Sequence, residues 1–73
     1  MKYFEVTFTA QPCNETITDV LSGLTADIGF ESFVECENGM KAYIQQSQFD
    51  EAALQQVVED FPIPGASISY SIT

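Results

Sequence analysis

The sequence predicts an α+β fold in which two helices cover one face of a four-stranded antiparallel sheet, as a single domain over residues 1–73. Three patterns support this prediction. Apolar and polar side chains alternate near both ends of the chain, as in half-buried strands. Two internal segments repeat apolar residues at helical spacing. Between those segments, an Asn-Gly pair flanked by apolar and aromatic residues is typical of a β-hairpin.

The first strand and the first helix follow from the opening third of the chain. The segment KYFEVTFT alternates strictly, which predicts a strand with Phe4, Val6 and Phe8 toward the core. Asn14 is a good N-cap for the helix that follows, and Gly29 is suited to end it. The apolar stripe of this helix is predicted to be Ile17, Val20, Leu21, Leu24 and Ile28.

The hairpin is predicted over roughly residues 31–46 of the chain. Asn38 and Gly39 supply the two residues with positive φ that a type I′ turn requires. We expect Val34 and Cys36 to lie in the core together with Ala42 and Ile44. The same alternation sends the other side chains of the two strands outward: Phe33, Glu35, Glu37, Lys41 and Tyr43.

The second helix and the last strand complete the pattern. Asp50 is the predicted N-cap, and Pro62 and Pro64 stop the helix. The apolar stripe is Leu54, Val57, Val58 and Phe61. The final segment, ASISYSIT, alternates again, with its core-facing residues predicted to be Ile68, Tyr70 and Ile72.

The resulting order, β-α-β-β-α-β, is the ferredoxin-like arrangement. Because its crossovers are right-handed, both helices are expected on one side of the sheet. The other face of the sheet then stays uncovered by this chain. We call it the open face.

The charge of the chain is strongly one-sided. Eleven acidic residues face two basic ones, and the formal net charge is −9. Such a chain has no basic surface with which to bind nucleic-acid phosphates, so direct nucleic-acid binding is excluded. A macromolecular partner is expected to be basic, since an acidic surface attracts cationic proteins. Solubility alone is the alternative explanation of this charge.

The sequence offers little for catalysis or metal binding. It contains no histidine, which excludes nucleophile pairs of the Ser-His and Cys-His type. Its glycines form no phosphate-binding or dinucleotide motif. Cys13 and Cys36 are too few for a zinc site, and we interpret them as a loop thiol and a small buried residue. No apolar run is long enough to cross a membrane. The sequence therefore predicts a non-catalytic intracellular domain with reduced thiols.

The open face carries the functional hypothesis. Aromatic residues on a four-stranded sheet occur in RNA-binding domains, but the basic rim that such domains need is missing. Two interpretations stay open: the face docks another protein, or another part of a longer chain covers it. The predicted partner-binding residues are Tyr3, Glu5, Thr7, Phe33, Glu35, Glu37, Lys41 and Tyr43.

Five segments together resemble one known family: KYFEVTFTA, DIGFESFVE, GMKAYI, FDEAALQQVVEDFPI and ISYSI. The chain is similar over essentially all its residues to the N-terminal domain of the ribosomal protein L-eleven methyltransferase family. The segment GFESF, followed by the acidic hairpin, carries most of the resemblance.

The resemblance implies a specific role. Members of this family are cytoplasmic enzymes that use S-adenosylmethionine to methylate lysine side chains and the N-terminal amine of that basic ribosomal protein. Their N-terminal domain recognises the substrate, and a Rossmann-like catalytic domain of the same chain binds the cofactor. We therefore expect residues 1–73 to be a fragment of a longer enzyme, without catalytic, cofactor or metal residues of its own. The alternative is a stand-alone ferredoxin-like regulatory or protein-binding domain.

Overall fold

The computed structural model describes residues 2–73 and confirms the predicted order of elements. The strands pair in the order β2-β3-β1-β4, and every neighbouring pair is antiparallel. A short 3₁₀ turn at Gln46–Gln48 follows the third strand. The elements are β1 (Tyr3–Gln11), α1 (Glu15–Ala26), β2 (Ser32–Cys36), β3 (Gly39–Gln45), α2 (Glu51–Glu59) and β4 (Ser67–Ile72).

Both helices begin at the predicted N-caps. The side-chain oxygen of Asn14 accepts a hydrogen bond from the backbone N–H of Ile17 at 2.9 Å. The carboxylate of Asp50 accepts from the N–H groups of Ala52 and Ala53. Each cap satisfies donors that the first turn of a helix leaves without a backbone partner. Local sequence therefore fixes where both helices start.

The core lies between the sheet and both helices. Val6 and Phe8 of β1 are fully buried, and so are Leu21 of α1 and Leu54 of α2. Since these four residues belong to one cluster, both helices pack on the same face of the sheet. The ring of Phe8 packs against that of Phe30 at a centroid distance of 6.1 Å. β4 contributes its predicted side, since Ile68, Tyr70 and Ile72 pair with the core-facing residues of β1.

Two threonines of α1 are buried although the apolar stripe did not predict them. Thr25 is fully buried, and its hydroxyl donates to the carbonyl oxygen of Leu21 at 2.8 Å. Thr18 donates to the carbonyl oxygens of Asn14 and Glu15. A buried hydroxyl is tolerated when its hydrogen bond is made locally, within the helix.

The predicted turn of the hairpin is wrong by one residue. The turn residues are Glu37 and Asn38, and Gly39 is already part of β3, where it pairs with Cys36. Within residues 2–73, positive φ occurs only at Gly29 and Gly65, so the turn is not of type I′.

Gly39 serves close packing between strands and not the turn conformation. A Cβ atom at this position would lie 1.9 Å from the carbonyl oxygen of Phe8 in β1. No side chain fits there without moving the backbone of the neighbouring strand. Gly39 pairs with Thr9, and the carbonyl of Asn38 accepts from the N–H of Ala10 at 2.8 Å. Because β3 approaches β1 this closely, only a glycine fits at this position of the strand.

The shift of the turn reverses the two faces of β2. Phe33 and Glu35 pair with Ala42 and Met40, so they lie on the helix side of the sheet and not on the open face. Glu37 is in the turn. Placing Phe33, Glu35 and Glu37 on the open face was therefore wrong, because antiparallel partners share a face and a one-residue slip exchanges the faces.

The same shift corrects the residues predicted for the core. Val34 pairs with Lys41 and Cys36 with Gly39, which places both side chains on the open side. Val34 is 52% exposed, and Cys36 is exposed as well. The expectation that they are buried was wrong, whereas Cys13 is the exposed loop thiol that the sequence predicted.

Replacing Gly39 by alanine tests the close approach of the two strands. We expect Gly39→Ala to lower the free energy of unfolding by about 1–3 kcal/mol, because the new methyl group collides with the backbone of Phe8. Urea denaturation measures the change. Gly23→Ala is the matched control, since nothing lies within 4 Å of a Cβ there and the position is helical. It should raise the stability by about 0.5–1 kcal/mol. Equal effects of the two changes would contradict the packing role of Gly39.

Candidate protein-binding surface

The open face is built mainly from the outward residues of β1 and β3. Tyr3 pairs with Gln45, Glu5 with Tyr43, and Thr7 with Lys41. The serines of β4 continue the surface on the other side of β1, since Ser69 and Ser71 pair with Thr9 and Thr7. The predicted residues that the structure brings together on this face are Tyr3, Glu5, Thr7, Lys41 and Tyr43.

The composition of the face differs from the prediction along β2. Ser32, Val34 and Cys36 occupy the positions that were expected to carry Phe33, Glu35 and Glu37. The face therefore has two aromatic side chains instead of three, and fewer carboxylates. Its aromatic part is concentrated at the end of the sheet where Tyr3 and Tyr43 lie.

A hydrogen bond between neighbouring strands orders the centre of this aromatic end. The hydroxyl of Tyr43 donates to the carboxylate of Glu5 at 2.8 Å. This bond raises the pKa of Tyr43 above its ordinary value, and partial burial and the negative charge of Glu5 act in the same direction. The phenol therefore stays neutral and keeps donating to the carboxylate at physiological pH.

A shallow hollow of about 400 Å³ lies beside this pair, lined by Tyr3, Glu31, Ser32 and Tyr43. Glu31 is held at its edge, since its backbone N–H donates to the carbonyl of Tyr43 at 2.9 Å. Its carboxylate accepts from the side-chain amide of Gln45 at 3.0 Å. Sequence reasoning missed Glu31 and Ser32. The pairing of Ser32 with Tyr43 would have revealed them, but it follows only from the correct hairpin register.

Phe33 and Glu35 line a different surface, between α1 and β2 on the helix side. One cavity of about 180 Å³ is bordered by Phe33, Glu35, Asp19 and neighbouring residues. A second, of about 360 Å³, shares Glu35 and Thr18 with the first, includes Glu15 and Cys13, and reaches the end of the hairpin strands at Cys36 and Gly39. The two residues therefore belong to an acidic groove on the opposite side of the sheet from Tyr43.

Residues 2–73 lack two further features. No helix in this range is long and apolar enough to cross a membrane. No three or more histidine, cysteine or acidic side chains are grouped there so as to hold a metal ion.

Comparison with known proteins identifies the family. No protein-family model and no solved structure matches the chain. The ribosomal protein L11 methyltransferase of Phocaeicola vulgatus is 62% identical over 72 residues, which is 99% of this chain. The chain belongs to the ribosomal protein L11 methyltransferase family. The corresponding protein of Bacteroides fragilis is 52% identical over 71 residues, or 97% of the chain. That of Porphyromonas gingivalis is 42% identical over 57 residues, or 78%.

The match concerns one part of these relatives. The chain covers 26% of the Phocaeicola vulgatus protein, 25% of the Bacteroides fragilis protein and 20% of the Porphyromonas gingivalis protein. It corresponds to the N-terminal part of these L11 methyltransferases. The chain thus spans about a quarter of the length of the first two of these relatives.

The bond between Tyr43 and Glu5 predicts a loss of stability at alkaline pH. Folding raises the pKa of Tyr43. The bond's contribution to the free energy of unfolding is therefore fully present below the ordinary tyrosine pKa, and it is lost as the pH rises through the raised pKa. We expect Tyr43→Phe to be less stable than the wild type at neutral pH, with a smaller difference at high pH. Urea denaturation at a series of pH values measures this.

The matched control for this prediction is Tyr3→Phe, which removes a hydroxyl from the same face but leaves the bond between Tyr43 and Glu5 intact. A difference between wild type and Tyr43→Phe that stays constant at all pH values would contradict the prediction.

Proposed function

We propose that this chain is the substrate-recognition domain of an S-adenosylmethionine-dependent protein methyltransferase. In this proposal the parent enzyme methylates lysine side chains and the N-terminal amine of ribosomal protein L11 in the cytoplasm. The open face holds that substrate. Homology over nearly the whole chain to proteins named ribosomal protein L11 methyltransferase supports the proposal most directly.

The electrostatics of the domain suit such a substrate. Proteins that assemble with RNA carry lysine and arginine to neutralise phosphates, so a ribosomal protein presents positive charge. The domain carries a formal net charge of −9 and only two basic residues. Opposite net charges accelerate encounter and disfavour like-charged competitors. Charge therefore supports a basic ribosomal protein as the partner.

The open face provides the contact area that docking needs. Within residues 2–73 it is uncovered, because both helices pack on the other side of the sheet. Tyr3 is 45% exposed and pairs with Gln45, and Val34 is 52% exposed and pairs with Lys41. Tyrosine is enriched at protein interfaces because its ring supplies apolar area while its hydroxyl keeps a polar partner. These features favour reversible docking of a folded protein.

Cofactor binding is assigned to the rest of the parent enzyme. Nucleotide-like cofactors bind at the carboxyl ends of parallel strands, next to a glycine-rich turn. The sheet of residues 2–73 is antiparallel throughout, and its larger cavities are open hollows at the surface. The residues described here do not fit S-adenosylmethionine.

Docking on this domain would favour methyl transfer by raising the effective concentration of the substrate at the active site and by restricting its orientation. A substrate held by one domain reaches the active site of a linked domain at a high effective concentration. Restricting its orientation lowers the barrier further, because less entropy is lost when the reacting groups meet. The proposed contribution of this chain is therefore binding and positioning, while a catalytic domain of the same enzyme performs the reaction.

Binding of purified ribosomal protein L11 to this chain tests the proposal. We expect amide chemical shifts to change at the outward residues of β1 and β3 and to stay constant on α2. Tyr43→Ala should weaken binding by about tenfold or more, as for a central aromatic residue of an interface.

Phe33→Ala is the matched control for this variant, since Phe33 is 37% exposed but lies on the helix side of β2. It should bind like the wild type. Shift changes confined to the helices, or no binding at millimolar concentration, would overturn the proposal.

A further inference from the structure

The hollow at the aromatic end of the open face combines two kinds of side chain that attract a cation. Tyr3 and Tyr43 contribute aromatic rings from neighbouring strands, and Glu31 contributes a carboxylate. Aromatic faces carry partial negative charge and attract ammonium and guanidinium groups. The two basic residues of the chain, Lys2 and Lys41, are not among its lining residues. A cation entering the hollow would therefore meet attractive groups.

The ring of Tyr43 is prepared for this role by its hydrogen bond. Its hydroxyl donates to the carboxylate of Glu5 at 2.8 Å, and both side chains are partly buried. Donation to an anion increases the electron density of a phenol ring, which strengthens its attraction for a cation. The bond also fixes the ring before binding, so less side-chain entropy is lost when a partner arrives.

Glu31 is likewise held in place before any partner arrives. Its backbone N–H donates to the carbonyl of Tyr43 at 2.9 Å, and its carboxylate accepts from Gln45 at 3.0 Å. A carboxylate can accept more than one hydrogen bond, so Glu31 keeps acceptor capacity for a cationic donor. The hydroxyl of Ser32 is a further acceptor at the same site.

We propose that this hollow is a subsite for one lysine side chain of the docked basic protein. The rings of Tyr3 and Tyr43 contact the aliphatic stem and the charged end, and the carboxylate of Glu31 accepts a hydrogen bond from the ammonium group. This inference rests on the proposed function, because it specifies how the open face recognises that partner.

The shape and charge of the hollow favour this occupant over others. The hollow is shallow, so a long flexible side chain can enter it from solvent and lie along the two tyrosine rings. A nucleotide stacked on the tyrosines would bring phosphates toward Glu5 and Glu31, which repel them. A second copy of the chain, with a net charge of −9, would bring further negative charge to the same place.

Nuclear magnetic resonance can detect this contact directly. The probe is a lysine-rich peptide, and the same peptide with every lysine acetylated is its control. Lysine ε-methylene protons above an aromatic ring shift upfield, so the unmodified peptide should show upfield shifts when this chain is added. The acetylated peptide should show none, because it has lost its charge. An arginine version of the peptide measures the preference between the two cationic side chains.

Variants assign the shifts to the hollow. Tyr43→Leu and Tyr3→Leu should each weaken peptide binding by about two- to fivefold and reduce the upfield shifts. Glu31→Gln should weaken binding by up to about fivefold at low salt and less at high salt. Phe33→Leu, an exposed aromatic residue on the other face, should change nothing.

The outcomes separate this inference from the proposed function. If ribosomal protein L11 binds but Tyr3→Leu, Tyr43→Leu and Glu31→Gln bind it as tightly as the wild type, the subsite is wrong and the function stands. If the peptide shifts depend on these residues but L11 does not bind, the subsite stands and the function is wrong. Upfield shifts that survive in both tyrosine variants would also overturn the subsite.

Discussion

The central strand β1 fixes both faces of this domain. It pairs with β3 on one side and with β4 on the other, so its alternation sets which residues of those strands face the helices. Val6 and Phe8 face inward and are fully buried. Their neighbours Glu5 and Thr7 consequently point to the open face, where they pair with Tyr43 and Lys41. Core packing and the proposed binding surface are thus two consequences of one alternating segment.

Much of the fold was predictable because its signals are local. Asn14 and Asp50 cap the helices through hydrogen bonds to residues two or three positions away, so the sequence contains the whole interaction. Alternation along β1 and β4 is equally local, and the side of the sheet on which their residues lie was predicted correctly, although Ile72 at the end of β4 is 37% exposed. The burial of Thr25 was not predicted, because threonine is a polar residue and the sequence does not show that its hydroxyl donates a hydrogen bond within the helix.

The hairpin could not be predicted in the same way, because its register depends on a contact between distant parts of the chain. An Asn-Gly pair favours a type I′ turn when only neighbouring residues are considered. Here the carbonyl of Phe8 leaves no room for a Cβ at position 39, and the glycine is used inside the strand. That one-residue difference moved Phe33 and Glu35 to the helix side and brought Val34 to the open face. The aromatic end of the open face was predictable from β1 and β3 alone, but the contribution of β2 was not.

With the corrected register, the charges that would attract a basic protein and the groups that would recognise it on one face are different sets of residues. Glu15, Asp19 and Glu35 border cavities on the helix side, whereas Glu5 and Glu31 lie at the open face. Negative charge is therefore present on both sides of the sheet, and it would attract a basic protein without selecting a face. Charges separated by more than about 10 Å are also strongly screened at physiological salt. In the proposed docking, selection of the open face would then depend on short-range features of that face, namely two tyrosine rings beside a carboxylate already held by hydrogen bonds.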